Sequence, residues 1–234
     1  MKTFAKVFNI VMLALILVGD VLYINAHTWF PNIDTLIIKS ITSALFVIVG
    51  AVNLFLAVKF KTNHLKFSII IFVGLVFGML GDILLEINSM FIMGAGLFAV
   101  GHVFYFIAYC FIEKFNWKDL IYGLSIFVAA LLFILLAPIF DFGGNLMKIV
   151  CIIYALIISL MVGKALANCI KLRNAISVLI LVGSVLFFFS DLMLLIRLFA
   201  LPGNYLLKVL CLGSYYPAQF LLGFTILFAC KKKK

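Results

Sequence analysis

The sequence predicts an all-α protein, a polytopic transmembrane bundle of eight helices with a parallel 4+4 internal repeat. Three observations carry this. Hydrophobic residues make up 67% of the 234 residues and charged residues only 11%, whereas a soluble domain is nearer about 45–50% apolar and about 25% charged. Eight apolar runs approach the roughly 20 residues that a helix needs to cross a bilayer. Two stretches also look like copies of each other. Val73-Gly74-Leu75-Val76 runs to Gly81-Asp82-Ile83-Leu84-Leu85, and Val182-Gly183-Ser184-Val185 runs to Ser190-Asp191-Leu192-Met193-Leu194, with the aspartate nine residues after the valine each time.

The spans follow from their breaks. The first, roughly 4–24, stands behind Lys2 and Lys6 as a signal peptide would, but no convincing A-x-A site follows, so it is read as a retained helix. Asn25–Asp34 separates it from the second, roughly 34–58, and Lys59–Lys66 precedes the third, 67–87. Asn88–Ser89 and Glu113–Asp119 bracket the fourth, 91–112. The fifth, 119–138, ends at Pro138–Asn145. The sixth, 146–163, ends where Lys164–Arg173 begins. The seventh, 175–197, and eighth, 206–229, are divided at Leu201–Asn204. No polar stretch is long enough for a second domain, so 1–234 reads as one integral membrane domain.

The net charge of +10 does not indicate nucleic acid, because the lysines lie in short loops between apolar spans, where basic residues set topology. With both termini in the cytoplasm, the inner segments hold fourteen basic residues, and the outer side keeps four: Lys39, Lys148, Arg197 and Lys208. The asymmetry puts both termini inside. The acids run the other way: Asp20, Asp34, Asp82, Glu86, Asp141 and Asp191 fall in the outer half, Glu113 and Asp119 inside. The expected home is a bacterial cytoplasmic membrane, or the endoplasmic reticulum in a eukaryote, where the Lys231–Lys234 tail would read as a dilysine retrieval signal as well as a contact for anionic lipid. Tyr23 and Trp29 read as aromatic-belt residues. The five cysteines are scattered without C-x-x-C spacing and read as small apolar residues.

A carboxylate in hydrocarbon costs several kcal/mol, so Asp82 and Asp191 are site candidates by default. Gly74, Gly78, Asp82 and Glu86 share one helical face through i, i+4 steps, and Gly183, Phe187 and Asp191 repeat it. Phe98, His102, Tyr105 and Tyr109 share a face of the fourth helix, and Tyr215 or Tyr216 aligns with Gln219 in the eighth. Sites in repeat-built membrane proteins lie near the repeat interface. No P-loop, G-x-S-x-G, H-E-x-x-H or metal-spaced Cys/His cluster is present, and no cofactor or metal is expected.

Gly81-Asp82-x-x-Leu85, Phe91, Gly96-Leu97-Phe98, His102 and Tyr105 together resemble the first signature of the YhhN-like, or lysoplasmalogenase, family. Ser190-Asp191-x-x-Leu194 and Tyr215-Tyr216-x-Ala218-Gln219 resemble its second. Lys39 stands where that family has a Lys-Pro pair, although Ser40 follows it here. The resemblance covers about residues 36–225. It implies eight membrane helices and hydrolysis of the vinyl ether bond of lysoplasmalogens, giving a fatty aldehyde and glycerophosphoethanolamine or glycerophosphocholine. In that reading Asp82, Asp191 and His102 are catalytic. Lys39, Glu86, Tyr105, Arg197, Tyr215, Tyr216 and Gln219 bind substrate, with Lys39, Arg197 and Lys208 near the phosphate. The partners are a lysophospholipid and bilayer lipid; the number of subunits is left open. Two other classes fit the same residues: a small proton-coupled transporter with an Asp/His relay, and a structural membrane protein with the polar cluster as helix glue.

The charge pattern makes a direct prediction. Cysteines placed at Lys61 and Lys171 should react with a membrane-impermeant thiol reagent from the cytoplasmic side, and one at Asp141 from the other side; the opposite pattern overturns the orientation.

Overall fold

The apolar runs become helices because a backbone in hydrocarbon must satisfy its own hydrogen bonds. The computed structural model describes residues 2–60, 62, 64–87 and 89–229. Lys61, Asn88, Cys230 and the Lys231–Lys234 tail, all used in the sequence reading, lie outside the described residues. Among the described residues, eight helices are long and apolar enough to cross a membrane. They are α1 (Lys2–Ile24), α2 (Thr35–Lys59), α3 (Leu65–Glu86), α4 (Phe91–Ile112), α5 (Leu120–Leu136), α6 (Asn145–Leu172), α7 (Ala175–Phe199) and α8 (Tyr205–Ala229). A single helical turn, Ala26–Trp29, follows α1, and a 3-10 turn, Trp117–Asp119, leads into α5.

Short polar side chains set several of the starts. Asp34 caps α2 by accepting from the Leu36 N–H at 2.9 Å, and Asn174 and Ser177 cap each other's backbone at the start of α7. Gly143 and Gly144, with φ of +63° and +153°, turn the chain into α6 through backbone that L-residues rarely adopt.

Helix α6 runs nine residues past the expected end of the sixth span. The sequence reading stopped it at Lys164, but Lys164 is wholly buried. Its amine donates to Asp119 at 2.8 Å and to the Lys114 carbonyl at 3.1 Å. Lys171 reaches the same carboxylate at 2.6 Å, and Asn168 donates to the Tyr109 carbonyl at 2.8 Å. Polar residues that look like loop in a hydropathy pattern are helical here because a buried acid and a helix-end carbonyl receive them.

Packing follows the repeat. Each half packs its third helix closely on its fourth, α3 on α4 and α7 on α8, and the halves join through equivalent pairs, α2 with α8 and α6 with α4. The match fails in two places: α3 also packs on α8 where α7 does not pack on α4, and the first helices of the two halves differ. α1 packs on α2 and α8, but its counterpart α5 packs on α6 alone among the long helices. The α5–α6 crossing is tight, since a Cβ on Gly163 would collide with the backbone of Gly123.

That crossing predicts a contrast. Gly163→Ala should destabilise by about 1–3 kcal/mol, because backbone rather than a side-chain tip must give way. Gly96, where an added Cβ meets nothing within 4 Å, should accept alanine with no loss. Thermal unfolding in detergent measures both, and equal shifts would contradict the crossing.

Candidate active site

The two aspartates come together on the wall of one cavity of about 460 Å³. Its polar lining is Tyr23 from α1, Lys39 from α2, Asp82 from α3, Tyr154 from α6, Ser190, Asp191 and Arg197 from α7, and Cys211 and Tyr215 from α8. The rest is apolar and includes Phe98 of α4 and a face of α5.

Asp82 lies one turn from the end of α3, roughly 6 Å along the axis, whereas α7 continues two turns beyond Asp191, roughly 12 Å. Asp82 is buried. Ser43 and Tyr215 each donate to its Oδ2 at 2.6 Å, and the Lys39 amine stands 3.9 Å from Oδ1. Asp191 is held differently. The Tyr154 hydroxyl donates to its Oδ2 at 2.6 Å, and His102 Nε2 lies 3.4 Å from that oxygen and 2.9 Å from the Tyr154 hydroxyl. No hydrogen bond to the other oxygen of Asp191 is formed by the described residues.

The two environments are related by the repeat. Asp82 takes one donor from α2, in its own half, and one from α8, in the other half. Asp191 takes one from α6, in its own half, and meets His102 of α4, in the other half. Each carboxylate is therefore fixed by a side chain that crosses between the halves. Small residues make the crossing possible: a Cβ on Gly74 would strike the Tyr105 ring, and one on Gly78 the Gln219 amide.

Lys39, Asp82, Asp191, Arg197 and Tyr215 thus line the cavity as expected candidates. His102, Tyr105 and Gln219 stand behind its wall. The Tyr105 hydroxyl donates to Gln219 Oε1 at 2.7 Å, and Gln219 Nε2 donates to the Tyr215 hydroxyl at 3.1 Å. The chain Tyr105–Gln219–Tyr215 therefore ends on Asp82 and orients it. Tyr216 is fully buried and packs against Tyr215 with ring centroids 5.0 Å apart. Glu86 accepts from Tyr23 at 2.6 and 3.0 Å, and the Lys39 amine is 3.4 Å from it.

Two residues depart from the sequence reading. Tyr23 is not a belt residue, because it is buried with its hydroxyl on Glu86 and its ring beneath Lys39 and Lys208, whose amines are 5.5 and 5.1 Å from its centroid. Trp29, by contrast, is exposed. Lys208 is not a cavity cation: its amine donates to the Ile24 carbonyl at 2.8 Å and to that of Tyr23 at 3.4 Å, where it closes the C-terminal end of α1. Arg197 lines the cavity with its buried Nε unpartnered and forms no salt bridge among the described residues. Ser43 and Tyr154 were missed altogether. The available signal for Tyr154 was a phenol in the otherwise apolar run Val150–Ile158 of α6; for Ser43 it was its place one turn after Lys39 on α2.

Eight membrane helices around a repeat-built pair of intramembrane carboxylates define the class, a multi-pass membrane protein with a chemically equipped cavity. The YhhN family model matches residues 1–226, and the chain belongs to the YhhN family. The comparison with curated proteins and that with solved structures each gave no match.

The placement of Lys39 between two acids predicts a strong coupling. Lys39→Met leaves buried charge uncompensated and should cost about 3–5 kcal/mol of stability. Adding Glu86→Gln should recover part of that loss, since contacting residues are non-additive. A double variant no more stable than Lys39→Met in the same unfolding assay would show that the lysine does not hold Glu86.

Proposed function

We propose that the protein hydrolyses the vinyl ether bond of a lysoplasmalogen, releasing a fatty aldehyde and glycerophosphoethanolamine or glycerophosphocholine. The observation that carries this reading is the pair Asp82 and Asp191 on one apolar cavity wall, each in a distinct donor set. Membership of the YhhN family supports it.

The chemistry needs an acid and an anion. Protonation of the vinyl ether β-carbon gives an oxocarbenium ion. Water adds to the carbon next to the oxygen, and its lost proton returns to a carboxylate. The hemiacetal then collapses to aldehyde and alcohol, with one water consumed. Glycosidases meet a related cation with two carboxyl groups in different environments. In this reading Asp191 delivers the proton, because it faces the cavity and has His102 and Tyr154 behind it to pass a proton on. Asp82, surrounded by the donors Ser43, Tyr215 and Lys39, is the carboxylate that steadies the cation and the attacking water. Arg197 holds the phosphate, for which a guanidinium with an unpartnered donor is suited.

Purified protein in liposomes should release aldehyde from a lysoplasmalogen. Asp82→Asn and Asp191→Asn should each remove most turnover while the protein stays folded, and the double variant should lose little more, as groups acting as a unit do. His102→Gln should lower kcat by on the order of 10²-fold with little change in KM. Proton flux measured on the same liposomes tests the relay reading: flux without aldehyde from the wild-type protein ends the hydrolase proposal.

A further inference from the structure

One of the breaks in the repeat lies beside the cavity. α1 closes its side of the bundle on α8, helped by Lys208 on the Ile24 carbonyl and by Tyr205, whose hydroxyl donates to Asn25 at 3.0 Å. The equivalent closure, α5 on α4, is not made. At one end α5 is fixed to α6 by the Gly123–Gly163 crossing and by the buried Asp119–Lys164 pair. Toward the cavity end it stands away from α4, and both helices supply cavity wall.

α5 also carries two apolar faces. Ile121, Leu124, Val128, Leu132 and Leu136 are exposed and spaced as a lipid-facing stripe. Ile126, Ala129, Ala130, Phe133 and Ile134 recur at i, i+3, i+4, i+7 and i+8 and line the cavity. The smallest of these, Ala129 and Ala130, sit six to seven residues from the end of α5, roughly 9–11 Å along its axis. Ala95 of α4, another small residue, is also on the cavity wall. The wall therefore carries small side chains on two helices whose backbones do not approach closely.

We infer that the gap between α4 and α5 is a lateral portal, through which a lipid with a single long chain enters from the bilayer and over whose sill, Ala129 and Ala130, its chain lies while the polar end sits near Arg197. The identity of the bond cleaved rests on the hydrolase reading; the portal does not. The lining that α4 and α5 supply is apolar, and Ala129 and Phe133 both line the cavity and are exposed, so the occupant is a hydrocarbon chain. Bilayer lipid is the source at that depth, and a single chain fits a slot with small side chains on both edges.

The test separates the two. A saturated 1-alkyl lysophospholipid carrying a diazirine near the end of its chain is photolysed with the wild-type protein in liposomes, and the labelled peptides are mapped. Saturable label on α4 and α5 is expected. Label that is not competed by unlabelled lipid, or that falls on α1 and α8, overturns the portal, as would cross-linking of two copies through α5. In the second arm, Ala129→Trp and Ala130→Trp should raise KM for a long-chain vinyl ether on the order of tenfold or more. Turnover of a short-chain, water-soluble analogue should fall far less. Leu132→Trp, on the lipid face, should change neither, and an equal loss for both substrates in the alanine variants would contradict a sill. Saturable label on α4 and α5 without aldehyde from any substrate would leave the portal standing and remove the hydrolase reading.

Discussion

Burying the carboxylate of Asp82 in an apolar bundle constrains most of what surrounds it. An isolated charge there is expensive, and the structure answers with two short hydroxyl donors and one ammonium. Those partners come from α2 and α8, so satisfying one side chain draws three helices together. Lys39 in turn serves Glu86, which orders Tyr23 and ties α1 to the same group. The glycines of α3 follow from this arrangement, because Tyr105 and Gln219 reach Tyr215 only where Gly74 and Gly78 leave room.

Asp191 shows how the same scaffold yields a second environment. The repeat brings α6 and α4 to it as it brings α2 and α8 to Asp82. The side chains differ: a tyrosine and a histidine stand where the other site has a serine, a lysine and a tyrosine. Like positions with unlike neighbours are how one fold separates an acid from a base. The opposite end of the bundle uses ion pairing for another purpose, since Asp119 with Lys164 and Lys171 fixes the start of α5 to α6 and leaves its other end beside the cavity.

Much of the site was legible in the sequence because membrane helices advertise their polar residues. Against apolar runs, Asp82, Asp191, His102 and Gln219 stand out singly, and the repeat pairs the aspartates. Tyr23 was misread for the same reason: an aromatic near a span end has the composition of a belt residue, and only the approach of Glu86 from α3 distinguishes it. Lys208 looked like a surface cation until the end of α1 supplied carbonyls for it. Lys164 looked like loop until Asp119 was beside it. Ser43 and Tyr154 carry no charge, so their role exists only through the helix that each one faces.

The sequence by itself determined the eight helices and the matched carboxylates, because hydrophobic length and the cost of buried charge are local properties of a chain in lipid. Tertiary structure alone decided which donors each carboxylate receives, which cations are already spent, and that α5 stands apart from α4. Those depend on which helices lie side by side, and helix packing in a bilayer is set by small-residue contacts and interhelical hydrogen bonds rather than by hydropathy, which is nearly the same on every face.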